Sequence, residues 1–138
     1  MLNPNTNDTE PFGPVIYSYT RAHAVADGEQ VEVTKTAEEA GLIYPLFLTR
    51  RVYDAYVTIP PDVTAQDEAS RAWDIVWMLR CAIGSALHMT DLRDRLMFSL
   101  YVRNDNDRPR LVNLRAECGP LDIDDPQPAI TVMLPDED

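Results

Sequence analysis

Between residues 64 and 87 the apolar positions recur at spacings of three and four. Ala69, Ala72, Trp73, Val76, Leu79, Ile83 and Leu87 fall on one face of a helix. Ile75, Trp77, Met78, Ala82 and Ala86 widen that face until little of its C-terminal half is polar, which predicts a helix covered on more than one side. Trp73 and Trp77, one turn apart, make it the largest apolar anchor in the chain. Thr64 is the expected N-cap, Asp67 and Glu68 sit near the positive end of the dipole, and residues 88–91 are the expected end.

The period then changes to two. Leu96, Phe98, Leu100 and Val102 alternate with Met97, Ser99, Tyr101 and Arg103, which predicts a strand with one apolar face and one mixed face. The turn-forming residues 104–107 lead to a returning strand over 111–118, and 129–134 reads as a last strand beyond an acidic loop bracketed by Gly119-Pro120 and Asp124-Asp125-Pro126. Earlier in the chain, Val15 to Tyr19 and Val31 to Val33 have strand character. Thr20 caps a short helix over 21–26 that Asp27-Gly28 ends. Thr36 and Glu39 have capping-box spacing, and Thr49 caps a helix over 50–57. Residues 1–14 read as a flexible arm and residues 15–138 as a single α+β domain. In that domain an antiparallel β-meander in the C-terminal third packs against the long apolar helix, with short helices in the N-terminal half.

Composition changes the picture in three ways. The length of 138 residues and the apolar share of 45% suit one domain that needs neither disulfides nor metal to hold it, so Cys81 and Cys118 are expected as reduced, buried thiols. No leader pattern and no long uncharged apolar run occur, so a cytoplasmic protein without membrane association is expected. The net charge of −11 repels a phosphate backbone, so direct nucleic-acid binding is not expected. The acids are concentrated in residues 20–70 and 116–138, whereas 71–115 is net basic. Some of the acidic C-terminal segment is therefore expected to fold back on the arginines.

Candidate chemistry is sparse. No phosphate loop, dinucleotide fingerprint, nucleophile elbow or paired-cysteine motif occurs, and His23 and His88 have no ligand partner at useful spacing. No metal and no cofactor are therefore expected. Residues 122–125 lack the glycine and the distant glutamate of a calcium loop. Asp74 and Arg80 interrupt the apolar helix and mark either a polar pocket or an ion-paired, solvated edge, with Arg71 in reach of Asp74. Asp122, Asp124, Asp125, Asp136, Glu137 and Asp138 could imitate the charge of a nucleic-acid backbone or simply keep the protein soluble. Together with Arg50, Arg51 and Tyr53 they are the candidate partner contacts.

The segments VIYSYTRAHAVADG, TAEEAG with its YP, RAWDIVWM, RPRLVNL and ITVMLPDED together resemble a small family of uncharacterised proteins, a domain of unknown function carried by plasmids, integrative elements and phages. The resemblance implies an accessory protein of a mobile genetic element and assigns no activity. The stretch IYSYTRAHAVADG also resembles the first nicotinamide-pocket element of ADP-ribosyltransferases. That likeness implies a nucleotide pocket at Tyr17, Tyr19 and Arg21, with Glu32 or Glu117 as the acid. The leading expectation is an acidic, non-enzymatic protein-binding factor that inhibits a host nucleic-acid-handling or defence protein, such as a restriction or CRISPR component, through that protein's basic surface. The alternatives are an ADP-ribosyltransferase-like enzyme and a structural or oligomerising module without catalysis.

Overall fold

The computed structural model describes residues 19–86 and 95–137. The expected arm, the strand character before Tyr19, Tyr17, the end of the long helix and Asp138 lie outside the described residues. The fold is α+β, built on a five-stranded mixed sheet. Its strands are β1 (Gln30–Glu32), β2 (Leu46–Thr49), β3 (Arg95–Val102), β4 (Arg110–Asp122) and β5 (Asp125–Met133). They lie in the order β1-β2-β5-β4-β3. All neighbours are antiparallel except β2 and β5, which run parallel with Leu46 opposite Ile130 and Leu48 opposite Val132.

The helices are α1 (Arg21–Ala26), α2 (Thr34–Glu39), α3 (Arg50–Val52), which widens into a π turn over Tyr53–Val57, and α4 (Glu68–Ala86). Thr20 caps α1 by accepting the His23 N–H at 3.0 Å, and Gly28 ends it at a φ of +81° that only glycine takes without strain. Thr49 caps α3 through the Val52 N–H at 3.2 Å. Two caps differ from expectation. The capping box at Thr36 is not made, because α2 begins at Thr34, whose hydroxyl donates to Glu32 and accepts from the Leu46 N–H. Asp67 rather than Thr64 caps α4, accepting the Ser70 N–H at 2.8 Å, while the Thr64 N–H is drawn 3.0 Å to Asn106 across the chain.

One face of the sheet carries the core. Ile75, Val76 and Leu79 of α4 are fully buried against Phe98, Leu100, Val102, Leu114, Ile130 and Val132, joined by Leu46, Leu48, Val52 and Val57 from the N-terminal half. α4 meets the sheet, the π turn and α2, but it is not covered all round. Trp77 is 40% exposed, Met78 is also exposed, and the two tryptophans stack on each other at 5.9 Å instead of entering the core together. Cys81 and Cys118 are free, as expected, but exposed. No helix among the described residues is long and apolar enough to cross a membrane.

The acidic loop expected over residues 119–126 is strand instead. Beyond Cys118 the hairpin of β4 and β5 outruns β3, whose pairing with β4 stops at Glu117, and outruns β2, whose pairing with β5 begins at Ile130. Pro120 and Pro128 face each other in this two-stranded ribbon. Among the described residues no further strand pairs with this ribbon, so it tolerates proline as an edge strand does.

Candidate functional site

The second face of the sheet divides into a covered half and an open half. Over β1 and β2 it is closed by α1, which Asp122 holds in place. Its carboxylate accepts the backbone N–H groups of Arg21 and Ala22, each at 3.0 Å. The Arg21 side chain then lies over the Phe47 ring at 4.2 Å and donates to the Leu121 carbonyl (2.6 Å), Gln30 (2.8 Å) and Thr131 (2.9 Å). Burial pulls the Arg21 guanidinium below its usual range, opposed by Asp122 and Glu32. The N–H of Ile123 above all, with those of Ala22 and Arg21, holds the Asp122 carboxyl below the ordinary carboxylate value.

This arrangement bears on the nucleotide pocket expected at Tyr17, Tyr19 and Arg21. The guanidinium of Arg21 is engaged by structural acceptors, and the Tyr19 hydroxyl donates to Asp27 at 2.8 Å. Shallow clefts do flank Arg21, lined by Thr20, Gln30 and Leu121 on one side and by Val25 and Phe47 on the other. Glu117 sits apart, on the open half of the face, paired with Arg115 at 3.0 Å and Arg95 at 3.3 Å.

The residues expected at a partner surface fall at two ends of the sheet. β2 and β5 run in the same direction, so Arg50 and Arg51 follow β2 at the end where Asp136 and Glu137 follow β5. Glu137 accepts from Thr49 at 2.8 Å and from the Leu134 N–H at 2.7 Å, and Arg115 donates to the Pro135 carbonyl at 2.9 Å. The C-terminal segment thus meets Arg115 through a backbone carbonyl rather than through its carboxylates. Arg50 donates to the Gly28 carbonyl at 2.7 Å, pairs with Asp54 at 3.2 Å and lies over Tyr53, while Arg51 is exposed. The Tyr53 hydroxyl donates to Glu68 at 2.8 Å, a bond that raises its pKa. Asp122, Asp124 and Asp125 lie at the opposite end, around the hairpin turn, with Asp124 exposed and the other two half-buried.

The open half of the face holds what the sequence reading did not single out. Met97, Tyr101 and Leu111 project from β3 and β4 with Tyr101 68% exposed. Tyr101 and Leu111 are cross-strand partners, as are Ser99 and Asn113, whose side chains are hydrogen-bonded at 2.6 Å. The apolar surface continues round the edge of β3 into a cleft of about 260 Å³ floored by Leu100 and walled by Asp74, Trp77 and Met78 of α4. Asp74 makes no hydrogen bond or ion pair among the described residues, and its burial raises its pKa, only partly offset by the Arg71 charge. Arg71, which lines a neighbouring cleft together with Asp74, is held by other partners. It is 5% exposed and donates to the Tyr56 carbonyl (3.0 Å), Gln66 (3.0 Å), the Arg103 carbonyl (2.7 Å) and Asn104 (2.6 Å). Arg80 lies over the Trp77 ring at 5.2 Å, with no carboxylate partner among the described residues. A signal for this surface exists in the sequence: α4 carries more apolar positions than one face can bury, and the mixed face of β3 holds Met97 and Tyr101.

Among the described residues no cluster of three or more histidine, cysteine or acidic side chains is placed to hold a metal. Comparison with models of known families, with curated proteins and with solved structures finds no match.

Proposed function

We propose that this protein is a non-catalytic protein-binding factor whose partner presents a basic surface. In the mobile-element setting that the resemblance implies, the partner is a host nucleic-acid-handling or defence protein, such as a restriction or CRISPR component. One observation carries the reading: exposed apolar side chains, Tyr101 and Leu111 passing round β3 to Trp77 and Met78 with Met97 further along the strand, stand open beside the Asp74 carboxylate on an acidic protein. Exposed apolar surface rimmed by polar groups is the usual mark of a protein-binding site, and aromatic and methionine side chains are enriched at such sites. Net charge of this size steers association toward basic partners and away from phosphate backbones.

The acidic residues contribute unequally to this reading. Asp122 caps α1 and Glu137 ties down the C-terminal segment, so Asp124, Asp125 and Asp136 remain as steering charges and the apolar surface supplies affinity. The nucleotide-pocket alternative draws no comparable support, since the donors of Arg21 serve the fold.

The test is affinity capture from host lysate with the wild-type chain and with a Tyr101→Ser/Leu111→Ser variant. The expected result is a basic, nucleic-acid-binding protein that is enriched by the wild type and lost with the variant. Capture of such a protein unchanged by the variant, or none at all, would overturn the reading.

A further inference from the structure

The two edges of the sheet are built differently. β1 is three residues long, includes Glu32 and leads directly into α2, as a protected edge does. β3 is eight residues long and pairs with β4 in regular register without a bulge. After Arg95 it holds no charge, no lysine and no proline, and among the described residues nothing pairs with its outer backbone. An apolar edge of this length, without a partner strand among the described residues, is a template for another strand. It is also flanked on both sides by side chains that an added strand would meet. Trp77, Met78 and Asp74 line the side toward α4, and Met97, Tyr101 and Leu111 line the open face.

We propose that the outer edge of β3 binds an extended basic segment of another protein by strand addition, with a lysine or arginine of that segment reaching Asp74. Alternate side chains of an added strand point to opposite faces. One set would therefore fall on the α4 side beside the carboxylate, and the other on Tyr101 and its neighbours. Backbone pairing supplies affinity and the alternating pockets supply selectivity. Charge decides the occupant. A second copy would bring two chains of −11 together, whereas a basic segment is drawn by that charge and brings Asp74 a cation besides Arg71. The inference rests on the protein-binding reading above and specifies its mode.

The experiment uses the full chain and a blocked synthetic peptide of alternating valine and arginine, matched in length to β3. Three controls accompany it: the same peptide N-methylated at alternate residues, a valine–glutamate counterpart, and the variants Asp74→Asn and Asp124→Asn. Binding is read by fluorescence anisotropy and by amide hydrogen exchange. The valine–arginine peptide is expected to bind and to slow exchange in residues 96–102. The N-methylated and glutamate peptides are expected to fail. Asp74→Asn should weaken binding about fivefold, as for a partly exposed charge pair, and Asp124→Asn should leave it unchanged. Asp74 is exposed to solvent, so asparagine there does not threaten folding.

Equal binding of the N-methylated peptide, or an Asp124 effect as large as that of Asp74, would reduce the binding to non-specific charge attraction and overturn the proposal. So would a concentration-dependent dimer that protects residues 96–102 without peptide, which would assign the edge to a second copy. Failure of the peptides while Tyr101→Ser/Leu111→Ser still abolishes capture would sink strand addition and leave the protein-binding reading intact. Capture that ignores those two side chains would sink that reading, whatever the peptides do.

Discussion

Replacing Arg71 by methionine should destabilise the fold by about 3 kcal/mol. The guanidinium joins three separate segments to the first turns of α4: the π turn through the Tyr56 carbonyl, the linker through Gln66, and the end of β3 through the Arg103 carbonyl and Asn104. Arg103 in turn reaches the Asp105 carbonyl, Asn106 and the Thr64 carbonyl, so the segments on either side of the buried arginine are also tied to each other. Methionine keeps most of the methylene packing and removes every donor. Asn104 can turn toward water and the Arg103 carbonyl keeps its bond from the Gln66 amide, but the Tyr56 carbonyl cannot follow; that acceptor costs about 1–3 kcal/mol when left unpaired, and the other charge-assisted bonds are lost with it. Relief of the arginine's own desolvation and of its repulsion with Arg103 offsets part of that sum. About 3 kcal/mol remains, a large fraction of the stability of a domain this size and roughly a 10 °C fall in Tm.

The assay is urea unfolding followed by the fluorescence of Trp73 and Trp77, which lie on the same helix, with the slope checked for constancy. Arg71→Lys should fall between the two, since an ammonium can satisfy only part of the fork. A double-mutant cycle of Arg71→Met with Asn104→Ala should give a coupling of about 1–2 kcal/mol. A loss within about 0.5 kcal/mol of zero for Arg71→Met, the scale of an ordinary surface substitution, would refute the reasoning.

Two further outcomes are expected. Asp122→Ala should loosen α1 and destabilise the protein in a pH-dependent way. A carboxyl with a lowered folded pKa contributes stability above its unfolded pKa of about 3.9 and loses it as pH falls through the folded value. Parallel urea curves at neutral and acid pH should show the gap to wild type narrowing on the acid side, and a constant gap would contradict the assignment. Cys81 and Cys118 should both react with a thiol reagent in the native state at rates near those of the unfolded chain, measured by mass spectrometry over time. Slow, denaturant-dependent labelling of either would contradict its exposure.

What the sequence determined by itself was local. The 3.6 period of α4, the alternation of β3 and β4, the caps at Thr20 and Thr49 and the glycine stop at Gly28 each depend on residues a few positions apart, so propensity and pattern suffice. What tertiary structure decided was every choice between local equals. Thr64 and Asp67 are both good caps, and Asn106, more than a helix length away in sequence, took the Thr64 N–H. Residues 46–48 are too short a run to announce a strand, and they became one because β5 offered a parallel partner. The prolines at 120, 126 and 128 signal a loop unless the hairpin is known to leave its neighbours behind.

The candidate site follows the same division. The excess of apolar residues on α4 and β3 is visible in the chain, but not which of them lose the competition for the core. Packing α4 on one face of the sheet, with α2 and the π turn beside it, leaves Trp77 and Met78 on its outer side and Met97 and Tyr101 on the sheet's other face. Charge counting likewise registered the acids, whereas only folded contacts turned Asp122 and Glu137 inward to structural work and left Asp74 facing an open edge.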